Sequence, residues 1–159
     1  MRKIVLILVV AMACQKEDIK QGNISSDYII FGHFYGECIG EKCVEIFKLT
    51  ENSLYEDTND DYPSFDKGYD GEFQLLDNAS LEEVKDLRTE IPAELLSINS
   101  TVVGQPDAGD WGGIYFEMVT RGEKRYWLID KKEANIPEGL RPFVAEIENK
   151  IELDRKSVV

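Results

Sequence analysis

Two carboxylates and an indole lie close together between glycines in the segment GQPDAGDWGG, residues 104–113. Asp107 and Asp110 could serve acid–base chemistry, and paired carboxylates beside the ring of Trp111 could also bind a sugar. A simpler interpretation is a turn, in which both Asp side chains accept hydrogen bonds from nearby backbone N–H groups and Trp111 covers the core. We favour the turn and keep a hydrolase-like enzyme that uses Asp107 and Asp110 as an alternative.

The single histidine, His33, precedes two cysteines, Cys38 and Cys43. Imidazole and thiolate are zinc ligands, but the cysteine spacing is Cys-x4-Cys, no second pair follows, and a carboxylate would have to supply a fourth ligand. The histidine is not accompanied by a GxSxG or HExxH motif, so a catalytic role lacks the partners it would need. We therefore expect a structural histidine and no metal among these residues.

The segment 56–70 is crowded with acidic residues and also contains glycine, proline and aromatic residues. An EF-hand loop that began at Asp57 would require Gly at its sixth position and Glu at its twelfth, but these positions hold Tyr62 and Gly68. A looser calcium site would use carboxylates that repel one another unless a cation separates them: Asp57, Asp60, Asp61, Asp66 or Asp70. We favour a solvated acidic loop, with calcium as the alternative.

The amino-terminal sequence MRKIVLILVVAMAC has the three parts of an export signal. Arg2 and Lys3 form a positive start, residues 4–12 are apolar, and small residues precede Cys14. The apolar run rises only about 14 Å as a helix, roughly half of a bilayer's hydrocarbon core, so it is too short to span permanently. A buried first strand is the alternative, but the abrupt change to CQKED favours a signal peptide over residues 1–13.

The four residues Ala11-Met12-Ala13-Cys14 resemble a lipobox, in which a small residue precedes the cysteine that receives a lipid. Ala11 stands where that pattern prefers Leu, which leaves cleavage by a general signal peptidase open. The charged residues after Cys14 are similar to those of surface-exported lipoproteins of the Bacteroidetes type. The resemblance is confined to this region, and it implies an acylated, palmitate-bearing Cys14 at the outer membrane, followed by a flexible tether over residues 14–26.

The composition is strongly acidic, with 31 Asp and Glu against 18 Lys and Arg and a formal charge of −13. Loss of residues 1–13 would remove two basic residues and leave a formal charge of −15. Such a surface repels phosphate backbones, so we expect no nucleic-acid partner. It favours solubility, and it also fits a basic protein partner. The sequence has no GxxxxGK[ST] or GxGxxG phosphate cradle, and we expect no cofactor.

With Cys14 assigned to the lipid, Cys38 and Cys43 remain as an even pair. An exported protein meets an oxidising compartment, so we expect a disulfide between them. In the chain-entropy model, closing so small a ring contributes only about 2 kcal/mol to stability. The expected disulfide is therefore a local constraint.

The order of strand-like and helix-like segments predicts a single α+β domain over residues 27–156. One hairpin would surround the Cys38–Cys43 pair, and a second would turn at Arg121-Gly122-Glu123. Apolar residues recur at helical spacing after Ser80, which fits a capping box, and again after Pro142. We predict an antiparallel meander sheet of about five strands with two helices packed on one face.

These features together favour a cell-envelope lipoprotein with a non-enzymatic binding or interaction role. Two alternatives remain: the hydrolase-like enzyme described above, and an acidic protein inhibitor of a basic enzyme. A deep pocket between Asp107 and Asp110 would favour the enzyme. Loops that protrude from an acidic face would favour the inhibitor.

Overall fold

A computed structural model describes residues 26–157, apart from the side chains of Glu41 and of residues 153–157. The predicted signal peptide, the predicted acylation site Cys14 and most of the predicted tether lie outside the described residues. The last tether residue, Ser26, is buried, and the next residue is already tied to the sheet because the Asp27 N–H donates to the Val119 carbonyl oxygen at 2.7 Å. In the part described, we find no helix with the length and apolar character needed to cross a bilayer.

Within the described residues, seven strands form one mixed sheet with the order β4-β3-β2-β1-β6-β7-β5. Neighbouring strands are antiparallel, except that β5 runs parallel to β7. The strands are β1 (Tyr28–Phe34), β2 (Val44–Leu49), β3 (Leu54–Asp57), β4 (Phe73–Leu75), β5 (Val102–Val103), β6 (Gly113–Thr120) and β7 (Glu123–Asp130).

Three α-helices accompany the sheet in this region: α1 (Asn78–Val84), α2 (Ala93–Ser97) and α3 (Arg141–Ser157). Short 3-10 turns occur at Glu41–Cys43, Lys85–Arg88, Glu133–Asn135 and Glu138–Leu140. Helix α3 begins where the sequence predicted, with Pro142 in its first turn, where a missing N–H costs no hydrogen bond.

The predicted cap of the first helix is wrong. Helix α1 begins after Asp77, whose carboxylate accepts the N–H of Ser80 at 2.9 Å. Ser80 itself lies in the first turn and is buried. Asp is as good an N-cap as Ser, and with Asp77 as its cap the helix begins three residues earlier than predicted.

The α+β class is confirmed, but the sheet is larger and less regular than predicted. It has seven strands instead of about five, and three helices instead of two. The strictly antiparallel arrangement is also wrong, because Val102 and Val103 pair in parallel with β7. The two-residue strand β5 is too short to show an alternating pattern in the sequence.

One face of the sheet is covered by the helices. Successive strand residues point to opposite faces, so alternate positions of β1, β2, β6 and β7 meet the apolar stripe of α3 and the segment 84–95. This core contains, among others, Ile29, Phe31, Phe47, Phe116, Trp127, Leu87, Leu95, Phe143 and Ile147.

The opposite face is covered by the irregular segment 58–72 instead of by a helix. A second, smaller apolar cluster lies between this segment and the sheet. Tyr69 from the segment packs against Tyr115 of β6, with ring centroids 5.6 Å apart. Seven of the eight residues of β6 are consequently buried, as is typical of a strand covered on both sides.

Candidate functional site

Several strand termini lie side by side at one end of the sheet. Phe34, the last residue of β1, pairs with Val44 at the start of β2 and with Gly113 at the start of β6. Strand β7 ends opposite the start of β6. The connecting segments that meet at this end form what we call the three-loop surface: residues 35–43, 58–72 and 104–112.

Asp107 joins the three loops. Its Oδ2 accepts the Gly36 N–H at 2.7 Å and the Tyr62 hydroxyl at 3.0 Å, and its Oδ1 accepts the Gly112 N–H at 2.9 Å. The residue has a positive φ of 59°, in the left-handed region that Asp tolerates better than most residues. Both carboxylate oxygens are thus engaged in hydrogen bonds that hold backbone and side chains in place.

The described hydrogen bonds do not connect the side chain of Asp110 or of Trp111 to the Asp107 carboxylate. Asp110 is exposed, with a positive φ of 61°, and its N–H donates to the Asp107 carbonyl oxygen at 3.4 Å. The Trp111 indole N–H donates to Asp130 Oδ1 at 2.8 Å, and the Lys132 ammonium lies 3.2 Å from the centre of the ring. The turn interpretation is thus met by Asp107, which accepts the Gly112 N–H, but Trp111 is only half-buried and contacts Asp130 and Lys132 instead of covering either apolar cluster.

Asp130, at the end of β7, is a site residue that sequence reasoning missed. Its side chain is fully buried and accepts four hydrogen bonds, from the Gln105 N–H, the Trp111 indole, the Lys132 N–H and the Asn135 amide, at 2.7–2.9 Å. Burial opposes ionisation, but these donors prevail and lower the pKa of Asp130. The sequence does contain one sign of this role: a single acidic residue ends the apolar strand YWLID, just before two lysines.

The predicted disulfide between Cys38 and Cys43 is confirmed, with a Cα–Cα distance of 5.5 Å. Two backbone hydrogen bonds reinforce the loop, from the Tyr35 N–H to the Cys43 carbonyl oxygen at 2.8 Å and from the Cys43 N–H to the Gly40 carbonyl oxygen at 3.1 Å. A cysteine in a disulfide has no thiolate to offer, so this pair is not arranged as zinc ligands.

His33 lies beside the base of the same loop and is buried. Its Nε2 donates to the Lys42 carbonyl oxygen at 3.2 Å and lies 3.9 Å from Glu45 Oε2, while its ring packs edge-on against Tyr35. These contacts connect β1 to the chain that enters β2. They are the contacts of a structural histidine that supports the disulfide loop.

The acidic segment does not present its carboxylates as one group. Asp57 is buried and accepts the Tyr69 hydroxyl at 2.6 Å and the Asp60 N–H at 3.0 Å, both through Oδ2. Asp66 and Asp70 are exposed. Among the side chains that the structure describes, no group of three or more His, Cys, Asp or Glu is placed to hold a metal ion. The structure therefore adds no support to the calcium alternative.

A buried polar network fastens the segment 58–72 to the sheet. Glu117 on β6 is fully buried, and its Oε2 accepts the Tyr115 hydroxyl at 2.6 Å and the Tyr69 N–H at 3.1 Å. Its other oxygen lies 3.1 Å from the Lys124 ammonium. Burial and the neighbouring carboxylates raise the pKa of the Tyr69 and Tyr115 hydroxyls, which stay protonated as donors. Sequence reasoning missed this network because Glu117 sits in a strand without any local sign of its partners.

Large apolar side chains are exposed mainly on the three-loop surface. In the described part of the chain there are four such exposed side chains, and three of them belong to this surface: Ile39, Tyr62 and Phe65. The fourth, Leu75, lies on the edge strand β4. Ile39 is fully exposed at the disulfide loop, whereas Tyr62 is partly covered because its ring packs against Phe34 at 5.0 Å.

The three-loop surface is also acidic. Its three segments contain nine Asp or Glu and two Lys. Exposed acids occur in each segment, including Glu37, Asp66 and Asp110. The surface therefore combines exposed apolar groups with a negative surrounding field.

No protein-family model matches this chain, and no curated protein is significantly similar to it. The function is therefore inferred from the amino-terminal sequence and from the geometry of the three-loop surface.

Proposed function

We propose that this protein is a lipid-anchored protein of the cell envelope, with Cys14 as the acylated residue, and that its domain binds a partner without catalysing a reaction. The export-signal pattern and the lipobox-like residues before Cys14 support the location. The membrane that we propose is the outer membrane, as in the Bacteroidetes-type lipoproteins that the amino terminus resembles. The binding site is the three-loop surface.

The observation that carries the binding proposal is the concentration of exposed apolar side chains on that surface. Apolar residues scattered singly over a surface are ordinary, whereas apolar groups that are exposed together and rimmed by polar residues are typical of interaction sites. Here Ile39, Tyr62 and Phe65 are exposed on loops that are cross-linked by Asp107 and by the disulfide. A rigid apolar surface of this kind loses little conformational entropy when it binds.

The enzyme alternative receives less support. A general acid or base has to reach the proton that it transfers. Both oxygens of Asp107 already accept hydrogen bonds from the protein, so an acid–base role for this carboxylate would require breaking them. Asp110 is exposed, and the two cavities described in the structure are lined by other residues. We therefore propose a binding role in preference to a hydrolytic one.

The lipid anchor is tested with a Cys14→Ala variant expressed from the full-length precursor. The wild-type protein should incorporate labelled fatty acid and sediment with membranes, and the variant should lose both properties, since the thiol is the acylation site. Cys38 is the matched control: Cys38→Ala should leave labelling unchanged. Equal labelling of the wild-type and Cys14→Ala proteins would remove the anchor from this proposal.

The binding role is tested in intact producing cells with an amine-reactive cross-linker and mass spectrometry of the cross-linked peptides. Lysines at or beside the three-loop surface, Lys42, Lys67 and Lys132, should carry cross-links to a partner. Lys85 on the helical side is the matched exposed control and should carry fewer. Cross-links distributed equally between the two sides would count against this surface as the binding site.

A further inference from the structure

Ile39 is held outward at the tip of a loop that is fixed at four points. The disulfide closes the loop, the Tyr35 N–H bonds to Cys43, His33 bonds to Lys42, and Asp107 holds the Gly36 N–H at the root. None of these contacts involves the Ile39 side chain, which is fully exposed. The fold therefore orders a loop whose most apolar side chain contributes nothing to the core.

Such a side chain is suited to act as an anchor in a complex. An aliphatic side chain that is buried only on association contributes its full transfer free energy to binding. The loop that carries it is already ordered, so little additional entropy is lost. Tyr62 flanks the root of the loop, where its hydroxyl shares Asp107 Oδ2 with the Gly36 N–H. Tyr is one of the residues that most often dominate interface energies.

The charge around the loop determines which class of partner can bind there. The three segments carry nine acidic and two basic side chains, and the chain as a whole has a formal charge of −13. This field repels anionic lipid headgroups and a second copy of the same surface. It attracts a positively charged protein and accelerates the encounter with it.

We propose that Ile39 enters an apolar pocket on a basic protein whose rim faces the acidic residues of the three-loop surface. This inference rests on the proposed function, because it names the class of partner for the same surface. In the proposed complex, a conformationally constrained loop of this protein inserts into a cleft of the partner. The partner is defined by two properties, an apolar pocket and a basic rim.

The first test places the photoreactive amino acid p-benzoylphenylalanine at position 39 of the full chain in producing cells. The same residue is placed at positions 62 and 65 of the three-loop surface and at position 75, which is an exposed apolar position on β4. We expect position 39 to give a discrete adduct with one protein, identified by mass spectrometry, that has a net positive charge. Position 75 should give no such adduct.

The other outcomes of this test are informative as well. Adducts at positions 62 or 65 without one at 39 would overturn Ile39 as the anchor but leave the binding function standing. Adducts at position 39 with lipid, with an acidic protein or with a second copy of this chain would overturn the basic partner. No adduct at any of the three surface positions would remove both the inference and the proposed function.

The second test measures the affinity of the purified domain for the protein identified at position 39. Ile39→Ala should weaken binding by about 10- to 100-fold, since it removes most of an aliphatic side chain from the pocket. Leu75→Ala, the matched control, should bind like the wild type. Binding should also weaken as salt is raised, because salt screens the attraction between the acidic surface and the basic rim. Equal affinities of the Ile39→Ala and Leu75→Ala proteins, or salt-indifferent binding, would overturn the proposal.

Discussion

Replacement of Asp130 by Asn tests whether this buried carboxylate holds the 104–112 loop in place. The substitution keeps the size of the side chain but replaces one acceptor oxygen with an NH2 group, which only donates. Each carboxylate oxygen of Asp130 accepts two hydrogen bonds. Asp130→Asn therefore leaves two of the four donors without an acceptor, whichever way the amide is turned.

The expected loss of stability follows from those two donors. A buried donor left unsatisfied costs about 1–3 kcal/mol. The carboxylate is buried, but the residues that donate to it are exposed or half-buried, so water can partly replace a lost acceptor and we take the lower part of that range. The free energy of unfolding should then fall by about 2–4 kcal/mol, a large share of the roughly 5–15 kcal/mol of a typical domain. Urea denaturation monitored by circular dichroism measures this difference as a shift of the midpoint at constant slope.

The pH dependence of the same variant gives a second readout. The pKa of Asp130 is lowered in the folded protein, so its ionised form stabilises the fold above the unfolded pKa of about 3.9. This contribution is lost as the pH falls through the lowered pKa. The stability difference between wild type and Asp130→Asn should accordingly shrink at acid pH.

Asp110→Asn is the matched control for this prediction. Asp110 is exposed and has a positive φ of 61°, which Asn also tolerates well. Its substitution should change stability by no more than about 0.5 kcal/mol. If Asp130→Asn unfolds at the same urea concentration as Asp110→Asn, or if its loss of stability is unchanged under acid conditions, the Asp130 carboxylate does not hold the loop in place.

Two further predictions concern the other loops. The double variant Cys38→Ser, Cys43→Ser should lose about 2 kcal/mol of stability, measured by urea denaturation, because the unfolded chain regains the entropy of a small closed loop; no change on reduction of the wild type would contradict this. Burial and the hydrogen bond to Asp107 raise the pKa of Tyr62 from its ordinary value of 10.0 to about 12. Because the unfolded chain ionises first, this phenol should lower stability as the pH rises from 10 towards 12, and Tyr62→Phe should remove that slope and the corresponding step in an ultraviolet titration. A variant that instead lost a step near pH 10 would show that Tyr62 does not lie against Asp107.

The elements that the sequence predicted well are those set by local patterns. The β6–β7 hairpin turns at Arg121 and Gly122, whose φ values of 55° and 81° are those that a two-residue hairpin turn requires. A glycine inside a strand is typical of a bulge or of close packing, and Gly32 in β1 marks close packing. A Cβ at that position would lie 2.0 Å from the Glu45 carbonyl oxygen on the neighbouring strand.

The elements that sequence reasoning missed depend on contacts between distant segments. Strand β5 has two residues and pairs with β7, which follows it by about 25 residues, so its own pattern carries no signal. Glu117 would be expected on a solvated face by its type, yet its partners come from Tyr69 and Lys124 on other segments. Buried charges are retained where other parts of the fold supply donors, and this cannot be read from one segment alone.

The acidic residues of this protein form two groups: those that accept hydrogen bonds within the fold and those that are exposed to solvent. The carboxylates of Asp57, Asp107, Asp130 and Glu117 accept hydrogen bonds from loop backbone or tyrosine hydroxyls, and they fix three loops to a sheet that has no helix on that side. A solvated acid would not order a loop in this way, whereas an engaged one does, because donors of the fold hold its oxygens. The exposed acids are the ones that a partner contacts directly, while the engaged acids supply the rigidity that holds the apolar tip in place. Because the two groups are distinct, neutralising an exposed acid such as Asp66 should reduce the rate of association without changing the stability of the fold.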